Sequence, residues 1–288
     1  MIWNEKYKIG VESIDRQHKE LFTRTGDLLK QLRESGVNHK EECKSAILFL
    51  KQYAVQHFAD EEAYQKSINY KDYPAHQKQH EAFVKNVLRH EKKMIESDFS
   101  EKYVKEFTGM LIAWLIYQVA HSDQKITGEI DQIESSDNQN DIVYSSVCNV
   151  LNRMTGFDKT SAKNKRVDSH NESFKDSIVL EVEFTGDITG YATFVYPVLY
   201  AKKLIYFMMR YIPEAINELE LSSLFEITTL ICQNICDLYK KNKGLSVGIK
   251  APFMTKRTAV QPDERIAVDM GMGILEVDFS VDYAMAHV

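Results

Sequence analysis

The sequence predicts two domains, an all-α up-down-up-down four-helix bundle followed by an α+β domain with an antiparallel sheet and long helices. Upstream of the polar segment Glu134–Asn140, four stretches show a 3.6-residue apolar period. Downstream of that segment, β-rich runs alternate with helical stretches. The length of 288 residues is long for one domain and sufficient for two. We therefore assign 1–133 to the bundle, 134–140 to a linker and 141–288 to the second domain.

The bundle is predicted from four helical stretches joined by short connections. Gly36 and Asn38 separate the first stretch from the second, and the Tyr70–Pro74 turn separates the second from the third. A serine-containing turn supplies a cap before the fourth. Short connections favour an up-down-up-down arrangement. The stretches run roughly from Ile14 to Leu32, His39 to Ile68, Tyr73 to Ile95 and Glu101 to Ile130.

The second domain is predicted from a leading helix, a β-hairpin, two long helices and three further strands. Glycines at 186 and 190 mark the hairpin turn. Long helices with antiparallel strands are typical of an α+β domain. The predicted elements are Asp141–Met154, the hairpin Ser177–Val182 with Gly190–Tyr196, the helices Leu199–Met209 and Glu218–Lys241, and the strands Leu245–Ile249, Arg265–Met270 and Ile274–Phe279.

Composition excludes several classes of protein. The formal net charge of −6 argues against a broad nucleic-acid surface, which is usually basic. No window is apolar for long enough to span a membrane, and the first residues lack a signal-peptide core. We therefore expect a cytoplasmic protein. The four cysteines lack the spacing of a zinc site.

Histidines and carboxylates of the first domain recur at helical intervals. His57 and Glu61 are four residues apart, as are His76 and His80, so each pair shares a helix face. With His18 and Asp123, they would converge inside the bundle, where such folds bind metals. A lone histidine on an apolar stripe is more often a hydrogen-bonded core residue, but four of them favour a metal site. Two ions about 3.5–4 Å apart suit this donor set, with iron favoured and zinc the main competitor.

The same residues lie in four ordered motifs that resemble bacterial hemerythrin domains over about residues 1–130. The resemblance implies a four-helix bundle with two non-haem iron ions, bridged by oxo or hydroxo and by carboxylates, that bind O2 reversibly. The motifs are Gly10–Phe22 (GVESIDRQHKELF), His57–Glu62 (HFADEE), Tyr73–His80 (YPAHQKQH) and Trp114–Asp123 (WLIYQVAHSD).

Carried over by position, the resemblance assigns a role to eight residues. It implies that His18 and His57 bind the iron that takes oxygen, and that His76 and His80 bind the other iron. It also implies that Glu61 and Asp123 bridge the two irons, and that Trp114 and Leu115 wall the oxygen pocket.

One ligand departs from the family pattern. The family has a histidine four residues after the matched Trp114, and here that position is Gln118. On a regular helix His121 and Asp123 point away from each other, so we place His121 at the surface or flank of the bundle unless a local distortion brings it into the site. Gln118 offers only a neutral amide oxygen, a weaker ligand for iron than imidazole.

Several consequences of this departure stay open. Gln118 either binds weakly, holds a water, or leaves an open position on the second iron. An open position favours sensing of iron or redox state, or oxygen reduction, over reversible oxygen carriage. The alternative is that the site tolerates Gln118 and binds its metal with lower affinity.

Two segments of the second domain resemble the CheX/CheC family of chemotaxis phosphatases over roughly residues 141–288. They are Gly186–Phe194 (GDITGYATF) and Phe225–Asn234 (FEITTLICQN). Glu226 matches the glutamate that docks a basic residue of the phosphorylated response regulator. Thr229 stands where the family has the asparagine that orients the attacking water. Gln233, which replaces a usual glycine, is an alternative source of the amide.

Three functional hypotheses follow from the two resemblances. In the first, the di-iron bundle senses O2, redox state or iron, and the second domain passes this to a chemotaxis-type signalling partner. In the second, the chain is a response-regulator phosphatase gated by the iron site, although the threonine at 229 favours lost catalysis. In the third, the chain handles oxygen or iron, and the second domain serves dimerisation. We expect a homodimer through the second domain and neither nucleic acid nor membrane as a partner.

Overall fold

The computed structural model describes residues 3–33, 40–128, 138–155, 176–256 and 262–283. The chain forms two compact units, Met1–Asp131 with Asn217–Ser223, and Gln132–Ile216 with Leu224–Val288. The predicted linker lies outside the described residues for its residues 134–137. The predicted boundaries at 133 and 141 therefore stay a prediction.

Four long helices build the first unit. Each buries an apolar stripe, as helices on a shared core do, and residues 107–117 of the fourth are buried all round. A short 3₁₀ turn at Glu5–Tyr7 precedes them. The helices are α1 (Glu12–Leu32), α2 (Lys40–Ser67), α3 (Tyr73–Glu96) and α4 (Glu101–Tyr117).

The end of α4 differs from the prediction of one regular helix to about Ile130. After Tyr117 the chain widens into a π-helical turn at Gln118–Ser122 and then tightens into a 3₁₀ turn at Asp123–Lys125. In a π turn, residues five apart lie above one another instead of residues four apart. The change of helix type therefore places Gln118 and Asp123 on one face.

α3 carries a core histidine outside the predicted metal set. His90 is 7% exposed, and its ring centroid lies 5.9 Å from that of Phe107. Burial lowers the pKa of His90 to about 4, and the neighbouring positive charges of Arg89 and Lys93 add to the effect. His90 is therefore neutral in the folded chain at neutral pH.

Replacing His90 by phenylalanine is expected to make stability less dependent on pH. Between its ordinary value of 6.5 and about 4, His90 binds a proton in the unfolded chain and not in the folded one. The wild type therefore loses stability as pH falls through this window, by on the order of 2–3 kcal/mol. The measurement is urea denaturation of both metal-free proteins from pH 7 to pH 4.5. Parallel stability curves for the two proteins would contradict the assignment.

The second unit contains an antiparallel sheet, two complete helices and the part of a third helix from Leu224 onward. The strand order is β3-β1-β2-β6-β5, with β4 also paired to β1. Among the described residues every strand pairing is antiparallel. The elements are α5 (Gln139–Thr155), β1 (Ser177–Gly186), β2 (Ile188–Pro197), α6 (Val198–Met209), α7 (Glu218–Lys243), β3 (Val247–Ile249), β4 (Phe253–Met254), β5 (Glu264–Asp269) and β6 (Ile274–Tyr283).

The β1–β2 hairpin depends on two glycines. Gly186 has φ +99° and Gly190 has φ +134°, in the region that L side chains rarely adopt. Gly190 pairs with Val281 of β6, so it also stands where two backbones approach closely. The predicted hairpin is present, and the predicted fold class of helical bundle followed by α+β domain is confirmed. The two-residue strand β4 was not predicted.

A helix that crosses a bilayer needs about 20 mostly apolar residues. Among the described residues, no helix is both long enough and apolar enough to do so.

Candidate metal centre

The structure brings the six predicted ligands together inside the bundle. All six are buried, with no more than 4% of any of them exposed. Their donor atoms form two groups, each with atoms within 4.8 Å of one another: His18, His57 and Glu61, and Glu61, His76 and His80. We name these the His18/His57 position and the His76/His80 position. Glu61 belongs to both.

Glu61 lies at the centre of the cluster. Its Oε1 is 2.7 Å from His76 Nε2 and 3.5 Å from His80 Nε2. Its Oε2 is 3.3 Å from His57 Nε2 and 4.0 Å from His18 Nε2. Each carboxylate oxygen therefore faces one pair of histidines, which is the arrangement of a carboxylate that bridges two ions.

Asp123 also has one carboxylate oxygen near each of the two positions. Its Oδ2 lies 3.1 Å from His18 Nε2, and its Oδ1 lies 3.4 Å from His76 Nε2. The π turn at the end of α4 carries Asp123 into the centre. Both carboxylates thus present one oxygen to each position.

Gln118 occupies the place of the missing histidine. Its amide Nε2 donates to Asp123 Oδ1 at 2.8 Å and lies 3.1 Å from His76 Nε2 and 3.4 Å from His80 Nε2. The side chain is 2% exposed. Gln118 therefore belongs to the His76/His80 position by location, with a terminal group that is neutral.

Electrostatics within the cluster favour an ionised centre. Burial alone would raise the pKa of Glu61, but contacts with His57 and His76 hold it well below its ordinary value. Burial lowers the pKa of His57, and it lowers that of His80 to about 4. Burial opposes protonation of His76 too, but Asp123 and Glu61 raise its pKa to about 9. Carboxylate ligands are thus ionised and two imidazoles neutral, the forms that bind metals.

Several donor atoms of the cluster lack a well-aligned hydrogen bond, which also fits a metal site. Within the described residues, both ring nitrogens of His18, Glu61 Oε2 and Asp123 Oδ2 are buried without a well-aligned hydrogen bond. Such groups are costly to bury unless something binds them. Imidazole nitrogens with carboxylate oxygens suit iron. The residues present therefore fit a pair of such ions.

Outer amides and carboxylates orient the ligands, and the sequence analysis missed them. Gln65 donates to Glu61 Oε1 at 2.6 Å, and Glu62 Oε1 lies 3.5 Å from His80 Nδ1. Tyr73 and Gln77 in turn donate to Glu62. The signal available in the sequence was Gln65, which is four residues after Glu61 and shares its face.

A second outer chain of hydrogen bonds runs from His57 toward the surface. His57 Nδ1 donates to Gln17 Oε1 at 3.0 Å, and the Gln17 amide donates to Asp60 at 2.7 Å. Asp60 also accepts from Gln56. This chain fixes the tautomer in which His57 Nε2 is free to bind an ion.

Replacing Gln17 by alanine is expected to weaken metal binding at the His18/His57 position by roughly 10–100-fold, as loss of an outer partner typically does. The measurement is anaerobic Fe(II) titration with dissociation constants. The matched control is Gln56→Ala, which removes another donor to Asp60 and does not touch His57. Equal affinities in both variants would show that Gln17 has no orienting role.

Both predicted oxygen-pocket residues are buried, and Trp114 belongs to an aromatic cluster that reaches His80 through Phe58. Trp114 stacks on Phe83 with centroids 3.6 Å apart, and Phe58 stacks on His80 at 3.8 Å. Trp114 and Phe58 meet edge to face at 6.4 Å. Leu115 is fully buried. An apolar aromatic wall thus flanks His80, and its role in oxygen binding stays a prediction.

His121 is not a surface residue, so that part of the prediction is wrong. It is 3% exposed, and its ring lies 4.8 Å from that of Tyr117. It is in neither metal group among the described residues. It therefore packs at the flank of the bundle.

The predicted residues of the second domain lie on α7. Glu226 and Thr229 are half-buried, and Gln233 is exposed. The Thr229 hydroxyl donates to the carbonyl of Phe225 at 2.9 Å, within its own helix. A missed neighbour is the buried Asn234, which accepts from Asn149 of α5 at 3.3 Å.

Comparisons with known proteins cover the two halves of the chain differently. The family model described as "Hemerythrin HHE cation binding domain" matches residues 9–129. Solved structures that resemble the chain include the chemotaxis protein CheX from Vibrio vulnificus, at 13% identity and a TM-score of 0.43, covering 52% of this chain and all of that one. Another is the CheX-CheY-BeF3-Mg complex from Borrelia burgdorferi, at 14% identity and a TM-score of 0.41, covering 51% and 99%.

Curated relatives match the first half over nearly their whole length. A bacteriohemerythrin of Clostridium acetobutylicum is 31% identical over 127 residues, which are 43% of this chain and 96% of the relative. A myohemerythrin of Theromyzon tessulatum is 28% identical over 128 residues, 44% of this chain and 92% of the relative. Through residues 9–129, the chain therefore belongs to the hemerythrin family.

Proposed function

We propose that the chain is a signalling protein whose bundle holds two non-haem iron ions and responds to O2, redox state or iron supply. The observation that carries the proposal is Glu61, which belongs to two ligand groups at once. A carboxylate shared in this way matches a pair of ions rather than a single one.

Each residue of this centre has its own proposed role. His18 and His57 would hold one ion, His76 and His80 the other, with Glu61 and Asp123 between them. Iron would supply a redox couple and coordination positions for a small ligand such as O2. Gln17 and Glu62 would keep their histidines in the binding tautomer, and the wall of Phe58 and Trp114 would exclude water from the His80 side.

For the second domain we propose an output role through binding rather than hydrolysis. The sequence segments around Gly190 and Glu226 suggest a response regulator or another chemotaxis protein as partner, and a second copy of the chain as a dimer partner. Thr229 has no amide, and its hydroxyl is engaged with its own helix. With threonine at 229, phosphoryl hydrolysis lacks the amide that orients the nucleophile, and the exposed Gln233 lies seven residues beyond Glu226.

Anaerobic reconstitution with Fe(II), followed by metal counting and an optical spectrum after admission of air, tests the metal part. Two irons per chain with a charge-transfer spectrum of the hemerythrin type would support the proposal. One metal, or tightly held zinc, would overturn it. For the output part, the full chain is incubated with phosphorylated response regulators. We expect binding without accelerated hydrolysis, and hydrolysis abolished by Glu226→Ala would establish a phosphatase instead.

A further inference from the structure

We propose that the His76/His80 position keeps an exchangeable coordination site beside Gln118, so that the centre takes two small exogenous ligands, one on each ion. The ligand class is a small uncharged π-acceptor molecule, such as nitric oxide. The inference rests on the proposed di-iron centre and adds where its ligands bind.

The donor count supplies the first argument. The His18/His57 position has two imidazoles and one oxygen from each of Glu61 and Asp123. The His76/His80 position has the same set, two imidazoles and the other two oxygens. Iron held by two histidines and carboxylates typically retains open positions. With glutamine at 118, both ions meet this condition, whereas a histidine there would fill the second one.

The geometry of Gln118 supplies the second argument. The amide nitrogen is the atom near His76 Nε2 and His80 Nε2, and it donates to Asp123 Oδ1 at 2.8 Å. An amide nitrogen has no lone pair to offer an ion. To bind through Oε1 in the same place, Gln118 would give up the hydrogen bond to Asp123. A neutral amide oxygen that must first give up this hydrogen bond is displaceable by an uncharged π-acceptor ligand.

The surroundings of Gln118 supply the third argument. Trp114 lies four residues before it, one turn along the same helix face. Trp114 and Phe83 form a stacked aromatic pair that meets Phe58 edge to face, and Phe58 stacks on the imidazole of His80. A small uncharged molecule such as nitric oxide is favoured next to such a surface, and water is not.

The test measures nitric oxide bound per iron in the anaerobic, Fe(II)-loaded full chain, by electron paramagnetic resonance and Mössbauer spectroscopy. We expect two per centre in the wild type and one in Gln118→His, which supplies the missing imidazole. Gln118→Ala, which removes the amide, should also bind two. Far-ultraviolet circular dichroism and iron content confirm that each variant is folded and loaded.

The outcomes separate this inference from the proposed function. One nitric oxide in the wild type and two in Gln118→Ala would mean that the amide closes the site, and the inference would be wrong while the di-iron centre stands. Equal binding in the wild type and Gln118→His would also overturn it. Fewer than two irons per chain in the wild type would remove the proposed centre itself, and the inference with it.

Discussion

Replacing Glu61 by alanine is expected to empty both halves of the metal centre. Glu61 is the one residue within the described chain that belongs to both ligand groups, and its two oxygens face different histidine pairs. Loss of an outer partner typically weakens metal binding 10–100-fold, so loss of a shared direct ligand should weaken both positions by roughly 100-fold or more. The measurement is iron content after anaerobic loading and desalting.

The comparison variant His57→Ala distinguishes a bridging ligand from a ligand of one ion. That variant removes a donor from the His18/His57 position alone and should retain about one ion per chain, because the other ligand group is untouched. Glu61→Gln adds a control of equal size, which keeps the packing and removes the charge. If Glu61→Ala retained as much iron as His57→Ala, Glu61 would not be a bridging ligand.

Replacing Gly190 by alanine is expected to destabilise the second unit by roughly 3 kcal/mol or more. A Cβ at this position would stand 2.2 Å from the carbonyl oxygen of Ser280 and 2.8 Å from Cα of Val281. Both atoms belong to the backbone of β6, so relief requires separation of β2 from β6. The backbone at φ +134° adds strain of its own.

Gly271→Ala is the matched control for this substitution. Gly271 also has a positive φ, +75°, but a Cβ there would meet nothing within 4 Å. We expect a loss of about 1 kcal/mol, from backbone conformation alone. Both tryptophans, Trp3 and Trp114, lie in the first unit, so circular dichroism follows unfolding of the whole chain while tryptophan fluorescence follows the bundle. Equal losses in the two variants would falsify the steric explanation.

Apolar periodicity was sufficient to predict most of the elements. The third stretch was predicted from Tyr73 to Ile95, and α3 spans Tyr73–Glu96. The α7 helix begins at the predicted Glu218 and ends two residues beyond the predicted Lys241. Long amphipathic helices of this kind bury one continuous stripe, so local sequence determines them. The strand β4 was not predicted because two residues are too few to show an alternating apolar pattern, and because its pairing with β1 is a long-range contact.

The convergence of the six predicted ligands was predictable because four of them form pairs at helical spacing. The surroundings of these six residues were not. Gln17 reaches His57 from another helix, and that contact has no signature in local spacing. The burial of His121 was missed because a regular α-helix was expected at the end of α4, whereas the chain forms a π-helical turn there. Such a change depends on tertiary contacts rather than on residue type.

The π turn makes the ligand set sensitive to chain length as well as to residue identity. An underwound helix shifts the angular phase between the residues before it and those after it. With ordinary α-helical winding over the same residues, Asp123 would stand about 140° around the helix axis from Gln118 instead of on the same face. The chain would then keep every predicted ligand in its sequence and still turn the Asp123 carboxylate away from His18 and His76. Removing one residue, such as Val119, would place Gln118 and Asp123 four apart, which ordinary α-helical winding again puts on one face.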